Sequence, residues 1–316
     1  MEEKLKKEVA ALFDEKKIDY FVGYAKGSLM HKTTPLITKD KEEALKTVIN
    51  PFIYNNLACY LRELPGRVGV VVKGCDSRSV VSLLQDNQIF RENLTIIGIP
   101  CSGLIDLEKV VSGIQVERHE ITSIERQGDK VAVKAGGKEK TFEAEDLLFD
   151  KCLNCVLPVP KEADIMIGDK DSPPVNKEKS YHIIKKLKEE ESAERWNFWK
   201  DQFKKCIRCY ACRNVCPACS CTRCFVEVNR PQWVSPVQKW QDNLVFQMIR
   251  TIHVAGRCVD CGECERACPA SIPLRSLQRE MGDNVKELFG FESGMDKDEK
   301  PLIASYKDTD PNEFMR

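Results

Sequence analysis

The sequence predicts a two-part α/β protein: an N-terminal α/β domain with a partly parallel sheet and a β-hairpin extension, followed by a small α-helical domain built on cysteine loops. Three observations carry this. Short apolar runs alternate with helical patterns over residues 65–115, period-two alternation takes over in 116–148, and two identical cysteine runs flank one helix in 205–268. A chain of 316 residues is long enough for two cores.

Taken in order, "EEALKTVINPFIYNNLACYLREL" reads as a helix broken at Pro51, with Cys59 on its core side. "RVGVVVKG" is a buried strand, and "SRSVVSLLQDNQIF" a helix whose start is marked by Asp76 and Ser77. Strand "LTIIGIP" and the short helix "SGLIDLEKVVSG" follow, and strand–helix–strand–helix at this spacing implies a parallel sheet. From Val116 the turn dipeptides Gly128-Asp129 and Gly136-Gly137 punctuate an antiparallel hairpin or meander. The polar, proline-containing "DKDSPPVNKEKS" (169–180) places a boundary, giving a first domain over 1–170, a linker and lead-in helix over 171–195, and a second domain over 196–316. A helix over "YHIIKKLKEEESAERWNFWKDQFKK" leads into the first cysteine run. In "SPVQKWQDNLVFQMIRTIHVAG", Ser235 is the expected N-cap, Pro236 the first helical residue and Gly256 the stop. Val237, Trp240, Leu244, Met248 and Ile252 then form one apolar face, expected to be core.

The segment "KCIRCYACRNVCPACSCTRC" (205–224) puts seven cysteines in twenty positions, and "RCVDCGECERACP" repeats its opening rhythm. Both runs spell C-x2-C-x2-C-x3-C-P, the spacing in which three close thiolates reach three iron corners of a 4Fe-4S cluster and the fourth ligates the neighbouring cluster. Cys206, Cys209, Cys212 and Cys268 are therefore assigned to one cluster, and Cys258, Cys261, Cys264 and Cys216 to the other. A disulfide scaffold or a zinc ribbon is the alternative, but zinc needs only four thiolates in paired C-x2-C knuckles and does not call for two identical quartets. With its long intervening helix the second domain reads as an α-helical ferredoxin-like dicluster domain. Cys219, Cys221 and Cys224 follow directly, as alternative ligands, a separate metal site, or S–H groups that tune a cluster. Lys204, Lys205, Arg208, Arg213, Arg257 and Arg266 crowd these loops, either raising the cluster potentials and docking an acidic partner or forming a solvated rim.

Other classes are excluded. Lys plus Arg and Asp plus Glu both number 49, so nothing advertises nucleic acid or an acidic membrane surface. No apolar run approaches a membrane span, and "MEEKLKKEVAALFDEKKIDY" lacks the apolar core of a signal peptide, so a cytoplasmic, thiol-rich redox or metal protein is expected, in an anaerobic setting. The four histidines, His31, His119, His182 and His253, are too few for a histidine-rich metal site. There is no G-x-G-x-x-G fingerprint, P-loop or catalytic triad.

In the first domain Cys75 and Cys101 each follow the carboxyl end of a predicted strand, where open α/β sheets bind ligands, and Cys152 with Cys155 forms a C-x2-C knuckle. A helix N-terminus and Arg78 would favour the Cys75 thiolate. These four read as a third cluster, or as strand-end packing plus a dithiol or half a zinc site. The loop of Lys73, Gly74, Asp76, Ser77 and Arg78 either meets a flavin phosphate or simply closes a strand.

"KCLNCVLPVPKEADIMIGD" resembles the C-x2-C … ADI-x-x-GD signature of beta subunits of hydrogenases and dehydrogenases that use the deazaflavin coenzyme F420, and "GIPCSG" is similar to their G-x-P-C motif. The likeness covers residues 65–170 and lies on Cys101, Cys152, Cys155, Ala163-Asp164-Ile165 and Gly168-Asp169, whereas Cys75 has only the loop argument. It implies an FAD, an iron-sulfur cluster, and electron passage between a two-electron carrier and a partner enzyme. This chain departs from the pattern in lacking an N-terminal CGxC-type cluster and in carrying its two cysteine quartets at the C-terminal end, an arrangement similar to iron-sulfur subunits of sulfhydrogenases and heterodisulfide reductases. The expected function is an electron-transfer subunit of a multi-subunit oxidoreductase, with hydrogenase, dehydrogenase or heterodisulfide reductase-like partners. A flavoenzyme acting on a deazaflavin or small substrate, or an assembly module with structural clusters, are the alternatives.

Overall fold

The computed structural model describes residues 1–153, 155–168, 182–308 and 310. The whole boundary stretch 169–180, including Asp169 of the Gly168-Asp169 pair, thus lies outside the described residues. The chain divides into two compact units, Met1–Ser77 with Arg91–Ser180, and Arg78–Phe90 with Tyr181–Arg316.

The first unit is built on a five-stranded sheet of β1 (Tyr20–Lys26), β2 (Thr33–Thr38), β3 (Val68–Val72), β4 (Leu94–Gly98) and β8 (Ile165–Met166), in the order β2-β1-β3-β4-β8. β1 and β2 pair antiparallel, and the remaining pairs are parallel. Every residue of β3 is buried, which is why "VGVVV" is continuously apolar and not alternating. Beside it β5 (Ile121–Gln127), β6 (Lys130–Ala135) and β7 (Lys138–Glu143) form an antiparallel meander, with Gly136 and Gly137 both at positive φ in the second turn. Its inner residues Val131 and Val133 pack on Ile105, Val110 and Ile114 from the helix Leu107–Ile114 and its approach.

The helix expected over "EEALKTVINPFIYNNLACYLREL" is not formed. The structure has one helical turn, Lys41–Ala44, capped by Asp40, and a 3-10 stretch, Leu57–Glu63, opened by Asn56. Between them Val48 N donates to the Tyr24 carbonyl at 2.8 Å and Thr47 bridges Ala25, so the chain runs along β1 instead. Asn50 also accepts from Phe52 N at 2.8 Å, a local turn that competes with helix. Cys59 is half-buried in the 3-10 stretch. The helix after β3 spans Gly74–Gln85, starting before the expected Asp76 and Ser77.

The second unit contains helices His182–Glu189, Ser192–Lys204, Trp240–His253 and Leu274–Phe289, and two short ones, Ala211–Asn214 and Glu263–Arg266, inside the cysteine runs. The lead-in helix is therefore interrupted, and its second part opens on a capping box between Glu191 and Glu194. Residues 78–90 belong to this unit: Arg78 donates to the Ser293 carbonyl at 2.7 and 3.2 Å, and Gln85 to the carbonyls of Asp296 and Glu299.

The middle helix is oriented otherwise than its apolar stripe implies. It begins at Trp240, not at Ser235, because Arg208 takes the carbonyls of Ser235, Pro236 and Val237. Val237, Met248 and Ile252 are 59, 42 and 60 % exposed, and Trp240 and Leu244 half-buried, while Asn243, Phe246, Gln247, Arg250 and Thr251 are buried. The polar side faces inward because the core here is made of cysteine loops, whose thiols and carbonyls need donors. That core groups Cys212 and Cys264 with Phe203, Phe246, Ile272 and Leu274.

Candidate metal centres

The two cysteine runs adopt the same backbone. Arg208 and Tyr210 in the first have φ of 49° and 58°, and Asp260 and Gly262 at the matching places of the second have 57° and 70°. Left-handed conformation costs roughly 1–2 kcal/mol at a non-glycine residue, and such strain collects at ligand clamps. Each loop then enters its short helix with Tyr210 or Gly262 as N-cap. The fourth cysteine closes each turn alike: Cys216 N donates to Arg213 O at 3.2 Å and Cys268 N to Glu265 O at 3.0 Å.

The thiols assemble across the runs. Cys206 couples electrostatically to Cys268 and Cys209, and Cys212 to Cys206 and Cys268. Cys258 couples to Cys216 and Cys261, and Cys264 to Cys216 and Cys258. A cavity is lined by Cys216, Cys258, Cys261 and Cys264 together with Arg250. The thiols of Cys206, Cys209, Cys212 and Cys268 thus neighbour one another, as do those of Cys216, Cys258, Cys261 and Cys264. Burial raises the thiols of Cys206, Cys212 and Cys264, and pushes Cys258 to about 12 with Asp260 adding to it. Among the described residues no three His, Cys, Asp or Glu side chains close on a single ion. A cubane spreads its thiolates over separate iron corners, and buried sulfur facing a common cavity fits such a donor set.

The cations named from sequence are engaged with protein groups. Arg213 pairs with Glu227 at 2.7 Å, Arg257 with Asp86 at 3.1 Å, Arg266 with Glu263 at 2.7 Å and Lys204 with Asp201 at 2.8 Å. Lys205 donates to Gln202 at 3.0 Å, and Arg208 holds the carbonyls before the middle helix. Two residues not anticipated face the sulfur. Gln247 donates to Cys212 Sγ at 3.8 Å, and Arg250 Nη2 donates to the Cys212 carbonyl at 3.1 Å. Their signal in the sequence is the i, i+4, i+7 stripe Asn243, Gln247 and Arg250 on a helix between two cysteine runs.

Of the remaining three cysteines, Cys219 lies beside Cys216, whose thiol is held low by a hydrogen bond from Cys219 against the effect of burial. Cys224 neighbours Arg213, and Cys221 is exposed.

In the first unit, Cys75 and Cys101 each stand three residues beyond Val72 and Gly98, which are paired in register across β3 and β4. Cys75 couples electrostatically to Cys155, and Cys101 to Cys152 and Cys155, so the two loop thiols and the knuckle share one neighbourhood. Leu104 N donates to Cys152 Sγ at 3.4 Å. Asp164 fixes this end of the sheet by accepting from Ile96 N at 2.7 Å. The expected thiolate at Cys75 is not favoured: burial and then Asp76 raise it, and Arg78 is turned to the Ser293 carbonyl.

The loop considered for a flavin phosphate holds its cations inward. Lys73 Nζ meets Asp76 Oδ2 at 2.6 Å and the Asn55 carbonyl at 3.2 Å, Ser77 Oγ donates to Gly74 O, and Arg78 is 5 % exposed. A Cβ on Gly74 would stand 1.6 Å from the Leu157 carbonyl, so that chain covers the loop closely. This arrangement does not fit a phosphate cradle.

Residues 66–198 match the model of the C-terminal region of coenzyme F420 hydrogenase/dehydrogenase beta subunits, and residues 202–272 that of a 4Fe-4S dicluster domain. The F420-dependent formate dehydrogenase subunit beta of Methanocaldococcus jannaschii is 26 % identical over 92 % of this chain and 91 % of its own length. The F420-dependent formate dehydrogenase 1 subunit beta of Methanococcus maripaludis is 24 % identical over 93 % and 90 %. A chain of the F420-reducing NiFe hydrogenase complex from Methanosarcina barkeri is 17 % identical, with TM-score 0.41 over 65 % of this chain and 86 % of that one.

Proposed function

We propose that this chain, which carries a coenzyme F420 hydrogenase/dehydrogenase beta-subunit domain followed by a 4Fe-4S dicluster domain, is the iron-sulfur electron-transfer subunit of a multi-subunit F420-linked dehydrogenase or hydrogenase. Cys206, Cys209, Cys212 and Cys268 hold one cluster, Cys258, Cys261, Cys264 and Cys216 a second, and Cys75, Cys101, Cys152 and Cys155 a third. Bound clusters supply one-electron transfer at each centre. The protein's part is to exclude water with Phe203, Phe246 and Ile272, to fix the thiols on two identically wound loops, and to supply N–H donors through Gln247 and Arg250. The observation that carries the reading is the cavity shared by Cys216, Cys258, Cys261 and Cys264, in which one ligand comes from the other run.

A deazaflavin-linked two-electron carrier at one end and a partner redox subunit at the other are the proposed donor and acceptor, in a cytoplasmic, anaerobic setting. FAD enters through the domain likeness and not through the Lys73 loop, and flavin analysis decides it. Stepwise reduction with dithionite and reoxidation by a one-electron mediator, under anaerobic conditions, tests the function. Reversible cycling of all clusters is expected, and clusters that are present but inert between strong reductant and oxidant would mark an assembly module instead.

A further inference from the structure

Arg250 is 3 % exposed; its Nη2 has the Cys212 carbonyl as acceptor, and the guanidinium also reaches the Cys219 thiol. Nε and Nη1 are buried without a hydrogen bond. Leaving two guanidinium donors unmatched in a core is costly, so their position points to an acceptor the polypeptide does not itself supply. Arg250 lines the cavity with Cys216, Cys258, Cys261 and Cys264, and the thiols that act most strongly on its charge are Cys216, Cys264, Cys219 and Cys212. Cys216 and Cys264 belong to one quartet, Cys212 to the other, and Cys219 to neither. Each loop cation named from the sequence is turned to a carboxylate, an amide or a carbonyl, although Arg208 Nε and Arg257 Nε are also buried without a hydrogen bond; Arg250 differs in leaving two of its nitrogens so.

We propose that Arg250 sets the reduction potentials of both C-terminal clusters, donating N–H···S hydrogen bonds into the cavity of the Cys216, Cys258, Cys261 and Cys264 set while its charge also acts on the set containing Cys212. The inference rests on the cluster assignment above. Reduction adds one electron, hence one negative charge, to a cluster already anionic from its thiolates. A buried guanidinium in hydrogen-bond reach stabilises that reduced form more than the oxidised one, because interior screening is weak. A single cation between two sets raises both potentials together and keeps them close, which suits electron passage between neighbours in either direction.

The test is an anaerobic redox titration, followed by electron paramagnetic resonance and with iron determined on each sample, of the full-length protein, Arg250→Met and Arg250→Lys. Arg250→Met should keep its iron and show at least a tenfold fall in the one-electron reduction equilibrium of both C-terminal clusters, about 59 mV each. Arg250→Lys, which keeps the charge but not the planar fork, should shift both in the same direction by less. If Arg250→Met does not load, Arg250→Lys decides alone, by lowering both potentials or leaving them unmoved. Unchanged potentials at full iron, a shift in one cluster only, or iron loss in both variants would overturn the inference, the last making Arg250 a tie between loops. Wild-type protein with fewer than about eight irons would instead sink the cluster assignment itself, before any variant is compared.

Discussion

Lys73 Nζ lies 2.6 Å from Asp76 Oδ2, both side chains 1 % exposed, in the strand-to-helix loop that carries Cys75. Tyr24 Oη donates to the Asn55 carbonyl at 2.7 Å and stands 3.2 Å from the same carboxylate, so the ion pair sits in a satisfied network. Burial pulls the Lys73 ammonium down, but Asp76 and then the neighbouring Cys75 outweigh it and hold it above its ordinary value. Asp76→Asn strands a buried cation, and a loss of roughly 3–5 kcal/mol of stability is expected. Adding Lys73→Met should recover part of that loss. Urea denaturation of the wild type and the two variants checks it; a loss under about 1 kcal/mol for Asp76→Asn would mean that water or another group satisfies the lysine.

The knuckle and the two strand-end cysteines are expected to act as one centre. Cys152→Ser combined with Cys155→Ser should lose about four irons and one paramagnetic signal, leaving the C-terminal pair intact. Full iron in the double variant would return the knuckle to a dithiol.

Cys219 is expected to donate its S–H to Cys216 and not to bind iron, since Cys216 already lines the cavity with its three partners. Cys219→Ser keeps a donor of similar reach, so iron should stay unchanged and only the potential of the neighbouring cluster should move. Loss of about four irons would make Cys219 a ligand.

Arg208 illustrates how differently two arginines near the same thiols behave. Its guanidinium caps the carbonyls before the middle helix, so Arg208→Met should cost about 1–3 kcal/mol of stability in the second unit while leaving cluster potentials nearly unmoved. A large potential shift with no stability loss would reverse the roles assigned to Arg208 and Arg250.

Much of the fold was legible because its signals are local. Apolar "VGVVV" and "LTIIG" are β3 and β4, and paired turn glycines mark the meander. The two matching cysteine loops were also readable, since Cys206, Cys209 and Cys212, like Cys258, Cys261 and Cys264, lie within seven residues. What escaped depends on distant partners. The stretch after Ala44 runs along β1 because of a bond to Tyr24, which no helical periodicity reports. Val237, Met248 and Ile252 follow the pattern of a buried stripe, yet the face opposite is buried, because thiols and loop carbonyls demanded Asn243, Gln247 and Arg250. Hydrophobic periodicity assumes an apolar core, and here the core is partly sulfur. The inward turn of Lys73 and Arg78 was invisible for the same reason: Asn55 and Ser293 are far off in sequence.

Metal analysis of the full-length protein, purified and handled without oxygen, tests the central claim most directly. Three cubanes predict about twelve irons and as many acid-labile sulfides per chain, with zinc at background and three signals on reduction. About eight irons would remove the third cubane, and fewer than about eight, or zinc in place of iron at the Cys206 and Cys258 quartets, would contradict the cluster assignment itself.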